Sequence, residues 1–288
     1  MCELEAWDAA MQAADFKTAE GLATTMQGNV TAPAMQAKAD FMLGKAWLAD
    51  GLNESLNKDF VAAEAAFHAA LELKPDDLDS IYFDGKALAY LNHDEQASAR
   101  FQLFLKLAGP DNLNYARVQR FLAQPDMARA PLAPNFRLTT IDGKTITLES
   151  LAGKVVLLDF WAVWCPPCHR ALPHLQKLVR EYAGQPFVVL SISLDADESK
   201  WKEFTASHDM TWPQYRDGGY SGEISTLYGV RGVPTTAIID ADGVLQEQFV
   251  GTEDFEPKLR RLVTLAAQAQ KRAPTANFQK TGFGTTAE

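Results

Sequence analysis

Between Val155 and Pro173 the chain passes from a strand directly into a helix, and two cysteines make the passage. Val155-Val156-Leu157-Leu158-Asp159-Phe160-Trp161 is an apolar, β-branched run of strand length, and the residues from Cys165 onward continue in a helical pattern. Cys165-Pro166-Pro167-Cys168 therefore sits at a strand-to-helix junction. At a helix N-terminus the unpaired backbone N–H groups and the positive end of the macrodipole favour a thiolate, and can bring a cysteine pKa from about 8.5 to about 7 or below. Cys165, at the junction, is the expected attacking sulfur. Cys168, one turn on, is placed to close a disulfide and to resolve a mixed disulfide. Proline tolerates the first helical turn and fixes φ there, so Pro166 and Pro167 stiffen the dithiol loop and help set how readily the disulfide is reduced.

These residues resemble those of a thioredoxin-fold thiol–disulfide oxidoreductase, and the closest family is the TlpA/ResA-like group. The resemblance spans roughly Ala133 to Ala267 and rests on separated motifs in order. Ala133-Pro134-Asn135-Phe136 followed by Asp142-Gly143-Lys144 is similar to an opening hairpin that this family shares with peroxiredoxins. Trp164-Cys165-Pro166-Pro167-Cys168 is similar to its redox motif, Pro173 to the proline that kinks the active-site helix, and Gly232-Val233-Pro234-Thr235-Thr236 to the cis-proline loop facing the dithiol. The resemblance implies that Trp164, Val233 and Pro234 bind substrate: Trp164 as an apolar rim, Val233 through backbone pairing with a substrate chain. The alternative for Pro234 is an ordinary turn proline, and for Trp161 a core position.

The chain departs from the family at two positions. Glu is common three residues after the second cysteine, where this chain has Ala171, and Asn is frequent in the preceding strand, where it has Asp159. A carboxyl in an apolar strand is costly to ionise, so its pKa rises into a range suited to moving protons near a thiol. Asp159 is accordingly expected to take the acid–base role that Ala171 cannot. The alternative is a structural aspartate with no part in catalysis.

The first half reads as helix throughout, rich in Ala, Leu and Lys with apolar residues at three- and four-residue spacing. It also repeats. Gly44-Lys45-Ala46 recurs as Gly85-Lys86-Ala87, while Ala63, Phe67 and Ala70 recur as Ala97, Phe101 and Phe104. The shorter offset resembles the tetratricopeptide period, and the segment Gly51 to Asn57 is expected to supply the residues that lengthen the other. Asp15-Phe16-Lys17-Thr18-Ala19-Glu20 against Asp59-Phe60-Val61-Ala62-Ala63-Glu64 suggests a degenerate first unit, and a last helix is expected around Leu113 to Ala123. Such an array presents a concave surface suited to a peptide or protein partner. The alternative is a plain bundle or dimerisation module.

The expected organisation is an all-α helical repeat over residues 1–124, a proline-punctuated linker over 125–134, an α/β thioredoxin fold over 135–268 and a disordered tail over 269–288. In the α/β half, strands are expected at Phe187 to Leu194, Thr235 to Ile239 and Val244 to Val250. Helices are expected at Glu198 to His208, Glu223 to Tyr228 and Asp254 to Ala267.

Charge and cysteine content bound the function. Net charge is −10, and residues 1 to 130 carry 11 Lys/Arg against 19 Asp/Glu. Nucleic-acid binding, which needs a basic surface, is not expected. No apolar run is long enough to span a membrane. Cys2 is left over from the redox pair. Met1-Cys2-Glu3 leads straight into a helical pattern without a basic and then apolar leader. A cysteine there fits a trimmed lipoprotein, so the expected location is extracytoplasmic, periplasmic or lipid-anchored through Cys2; a cytoplasmic protein is the alternative. Cys165-x-x-Cys168-His169 also fits a covalent haem signature, and His169 or His174 with two thiols an incomplete zinc set. Neither a metal nor a cofactor beyond the Cys165–Cys168 pair is expected. The function expected is exchange of protein disulfides, in the reducing direction, with an electron donor as second partner. A helical scaffold whose dithiol is incidental is the alternative.

Overall fold

The computed structural model describes residues 3–54, 57–251 and 253–272. Cys2, and the part of the expected tail over 273–288, lie outside the described residues. Seven helices are described in the first half: α1 (Glu3–Gln12), α2 (Phe16–Asn29), α3 (Pro33–Glu54), α4 (Asn57–Leu73), α5 (Leu78–Tyr90), α6 (Asp94–Leu107) and α7 (Tyr115–Ala123). Their starts follow local chemistry. Asp15 and Asp77 accept backbone N–H groups of Thr18 and Ser80 and so cap α2 and α5, each satisfying a donor the helix cannot.

Consecutive helices pack as antiparallel pairs, and glycine sets how closely they approach. A Cβ on Gly44 of α3 would lie 2.7 Å from the Phe67 ring of α4, and one on Gly85 of α5 would lie 2.6 Å from the Phe101 ring of α6. The same contact, a ring seated on a glycine, thus occurs in both units. Ala63 and Ala97, at matched positions, are buried, as is Ala19 in the first pair. Of the segment Gly51 to Asn57, expected to supply the surplus residues of the first unit, Gly51 to Glu54 belong to α3 and Asn57 opens α4, while residues 55 and 56 lie outside the described residues. α3 continues through Gly51 to Glu54, because Gly51 lies against the Phe60 ring and this packing offsets the helix cost of glycine.

Residues 125–134 are a packed connection. Pro125–Ala128 forms a 3₁₀ turn, and Ala128 and Ala133 are fully buried. Leu132 bridges Val244, and Leu245 donates its N–H to the Pro131 carbonyl.

The second half contains β1 (Arg137–Thr139), β2 (Thr145–Thr147), β3 (Val155–Trp161), α8 (Pro166–Glu181), β4 (Phe187–Ser193), α9 (Glu198–Ser207), β5 (Gln214–Arg216), α10 (Glu223–Leu227), β6 (Thr235–Ile239), β7 (Leu245–Val250) and α11 (Glu256–Arg272). β1 and β2 form a separate hairpin; the main sheet runs β5-β4-β3-β6-β7, with β3, β4 and β5 parallel and β6 and β7 antiparallel to their neighbours. β3 is at the centre and every residue of it is buried, which is why it reads as a continuous apolar run. This is the thioredoxin-like α/β arrangement. β5, three residues between Pro213 and Asp217, was not expected from the sequence. α11 runs to Arg272, beyond Ala267 and four residues into the segment expected to be a tail.

α7 joins the halves. The Arg117 guanidinium is buried against Glu149, Nε to Oε1 at 2.6 Å, and donates to the Ala133 carbonyl at 3.1 Å. Arg120 adds a second ion pair to Glu149 at 3.1 Å and a hydrogen bond to the Asp242 carbonyl. At the other end of the helical array, Arg231 donates to the Gln12 carbonyl at the end of α1. Among the described residues no helix is long and apolar enough to cross a membrane.

Candidate active site

Cys165 is the N-cap of α8, with Pro166 and Pro167 as the first two helical residues. The Cys168 N–H donates to Cys165 Sγ at 3.2 Å, and Cys165 and Cys168 are joined in a disulfide with S–S 2.01 Å. Both are nearly enclosed, Cys165 with 3% of its surface exposed. Trp164, the residue before, is 56% exposed, whereas Trp161 is buried against Phe204. Pro173 lies within α8.

The turn between β3 and Cys165 is held through both backbone polar groups of one residue, Val163. The Val163 N–H donates to the buried carboxylate of Asp195, at 3.1 and 2.9 Å to its two oxygens. The Ser193 hydroxyl donates to the same carboxylate. The Val163 carbonyl faces His169 Nε2 at 2.7 Å, and the His169 ring packs on Phe204. His169 is thus turned to the backbone, and His174 pairs with Glu256 at 2.9 Å. Among the described residues no three His, Cys, Asp or Glu side chains come together in a group that could hold a metal ion.

Asp159 stands opposite Ser191 in the β3–β4 ladder. It is buried, accepts a hydrogen bond from the Ser191 hydroxyl at 2.8 Å, and Ser191 in turn accepts one from Trp212 Nε1 at 2.8 Å. Burial pushes its carboxyl up, to about 6, against the opposing effect of the Ser191 hydrogen bond. Asp159 and Cys168 wall the same small cavity, about 10 Å³ and closed further by Leu172, Phe204 and Met210. A space of that size takes at most a single water.

Val233 and Pro234 precede β6 and are joined by a cis peptide bond. The β3–β6 register pairs Phe160 with Thr235, so the residues before Thr235 lie at the level of the chain leaving β3 toward the cysteines. The structure therefore gathers Cys165, Cys168, Asp159, Trp164, Pro166, Pro167, Val233 and Pro234 at one end of the central strand. The sequence reading missed Ser191, Trp212, Asp195 and Tyr220, whose ring lies 6.5 Å from that of Trp164. One signal was available: Ser191 and Ser193 alternate within an otherwise apolar strand, and buried hydroxyls need partners.

A helix-capping cysteine, a second cysteine one turn on and a buried carboxyl beside them, on this sheet, define a thioredoxin-fold thiol–disulfide oxidoreductase. The AhpC/TSA family matches residues 131–248. Thiol-disulfide oxidoreductase ResA of Bacillus thuringiensis subsp. konkukian is 33% identical over 136 residues, 47% of this chain and 78% of that protein. Thioredoxin-like protein YneN of Bacillus subtilis is 39% identical over 132 residues, 44% of this chain and 76% of that protein. A solved thiol-disulfide oxidoreductase of Bacteroides fragilis is 30% identical, covering 46% of this chain and 98% of its own, with a TM-score of 0.42. The chain belongs to the ResA-like thiol–disulfide oxidoreductases.

Proposed function

We propose that this chain reduces disulfides in protein substrates and is returned to the dithiol state by a separate thiol donor. The observation that supports the direction is the sparse set of donors at Cys165. Among the described residues a single N–H, that of Cys168, is donated to Cys165 Sγ. Pro166 and Pro167 have no N–H to offer, and the imidazole of His169 is engaged by the Val163 carbonyl. A thiolate with few donors is only moderately stabilised, and moderate stabilisation of the reduced form makes a weak oxidant.

In the proposed sequence the Cys165 thiolate attacks one sulfur of the substrate disulfide. A Cys165–substrate bond forms, the substrate S–S bond breaks, and the other substrate sulfur leaves as a thiolate that takes up a proton. Cys168 gives its proton to Asp159 across their shared cavity and attacks Cys165 Sγ, forming the Cys165–Cys168 disulfide and releasing the second substrate sulfur. The substrate gains two electrons and the dithiol loses them; a dithiol donor supplies the next pair. Pro166 and Pro167 hold the loop, and Trp164, Val233 and Pro234 receive the substrate chain. No cofactor beyond the cysteine pair enters these steps.

The helical half serves as a tetratricopeptide-like module for a peptide or protein partner, a reading supported by the ring-on-glycine contact repeated at Gly44 and Gly85. It forms one working unit to residue 124 and the α/β half another from residue 135. Work on disulfides of other proteins suits an extracytoplasmic location, where such bonds persist.

Equilibrating the full chain in dithiothreitol or glutathione buffers and trapping free thiols tests the direction. A reduction potential near about −270 mV, as in thioredoxin, is expected; one near about −120 mV would recast the protein as an oxidant.

A further inference from the structure

Tyr220 stands on the segment between β5 and α10, which carries Gly218, Gly219 and Gly222. In the structure that segment is a fixed bracket. The Asp217 N–H donates to the Ser193 carbonyl at the end of β4. Its carboxylate accepts the N–H groups of Ile224 and Ser225, at 3.2 and 2.6 Å, where α10 begins. Gly218 and Gly219 have φ of +84° and +151°, backbone conformations that side chains rarely allow. Gly222 lies so close to Asp217 that a Cβ there would collide with the carboxylate.

The bracket holds Tyr220 outward with 44% of its surface exposed. Its ring and that of Trp164 are tilted 55° to one another, their centroids 6.5 Å apart. Two large rings from distant parts of the chain thus meet in solvent beside an almost enclosed sulfur, although burial would ordinarily be favoured for both. Because Trp164 directly precedes Cys165, a chain that reaches the sulfur from this side passes these rings. Rigid aromatic side chains of this kind supply contact area at low entropic cost.

We propose that Tyr220 and Trp164 form an aromatic notch for an apolar or aromatic side chain flanking the reactive cysteine of a substrate protein, so that Tyr220 sets substrate specificity. The inference rests on the reading of the chain as a reductase of protein disulfides. As Cys165 forms its bond to the substrate sulfur and the substrate disulfide breaks, the neighbouring side chain packs on both rings. The tyrosine hydroxyl takes no part in that contact.

The test uses the reduced full chain and two mixed-disulfide peptides that differ only in carrying Phe or Ser beside the cysteine, with hydroxyethyl disulfide as a small reference. The wild type is expected to prefer the Phe peptide, and Tyr220→Ala to lower the Phe-to-Ser ratio of rate constants by about tenfold, equivalent to ~1.4 kcal/mol. Tyr220→Phe is expected to keep the wild-type ratio. An unchanged ratio in Tyr220→Ala, including one in which both rates fall together, would overturn the assignment and leave the oxidoreductase reading standing. A wild-type chain that exchanges with none of the three disulfides would overturn that reading, and this inference with it.

Discussion

Asp159 and Ser191 face each other across the β3–β4 ladder, and the Ser191 hydroxyl donates to Asp159 Oδ2 at 2.8 Å. It is the single hydrogen bond described to this buried carboxyl, so the energetics of the pair are open to measurement.

Burial raises Asp159 from 3.8 to about 6. The native state therefore binds this proton more tightly than the unfolded chain does. The stability it contributes is complete below about pH 4 and is lost as pH rises through about 6. Asp159→Asn, which cannot ionise, is expected to gain up to ~3 kcal/mol of unfolding free energy at pH 7.5 relative to wild type, with the gain vanishing toward pH 4. Urea denaturation of the oxidised chain across that range checks the sign. The same variant is expected to lose about a hundredfold in disulfide turnover, the scale of a missing acid–base group.

Ser191→Ala removes the group that holds the Asp159 pKa down and leaves Trp212 Nε1 without its acceptor. The acid limb of the pH–rate profile is expected to move upward relative to wild type. Stability should fall by about 1–3 kcal/mol, the cost of a buried polar group left unpaired. A profile that does not move would separate Asp159 from the rate-determining proton transfer.

Glycines of the helical half fall into two kinds. Gly44→Ala and Gly85→Ala each drive a methyl into a phenyl ring and are expected to cost about 1–3 kcal/mol. Gly21, within α2, has nothing within 4 Å of its Cβ position, so Gly21→Ala is expected to stabilise by about 1 kcal/mol through helix propensity. Thermal unfolding of the three variants gives the contrast.

Arg117 and Glu149 pair across the junction of the halves with both side chains buried. Arg117→Ala leaves the buried Glu149 carboxylate with Arg120 alone and the Ala133 carbonyl without its guanidinium donor, and is expected to destabilise by about 1–3 kcal/mol. Limited proteolysis should then cut within residues 125–134, which are protected in the wild type by packing on Val244 and Leu245.

What could be read from the sequence was what is local in it. Cys165 and Cys168 are separated by one helical turn, the two prolines lie between them, and Asp159 is conspicuous as a carboxyl within an apolar run. Helices α4 to α7 and the flanking strands of the sheet follow from periodicity in the same way. Ser191 and Trp212 could not be tied to Asp159 because sheet register and a β4–β5 crossover bring them there. Asp195 reaches Val163 for the same reason. β5 is too short to show an alternation, and its pairing depends on β4 already being in place. The continuation of α3 past Gly51 depends on Phe60 from the next helix, and the burial of Ala128 and Ala133 on surfaces from both halves, neither of which composition reports.

The helical array is secured to the α/β half at both ends, through Arg117 and Arg120 on α7 and through Gln12 on Arg231. Domains joined by a flexible tether present a bound chain to a neighbouring site at a local concentration governed by tether length. Here no tether intervenes. A polypeptide held on the helices would be offered to the disulfide from one fixed bearing, so that its reach, the number of residues between its anchor and its cysteine, would become a selection rule in its own right.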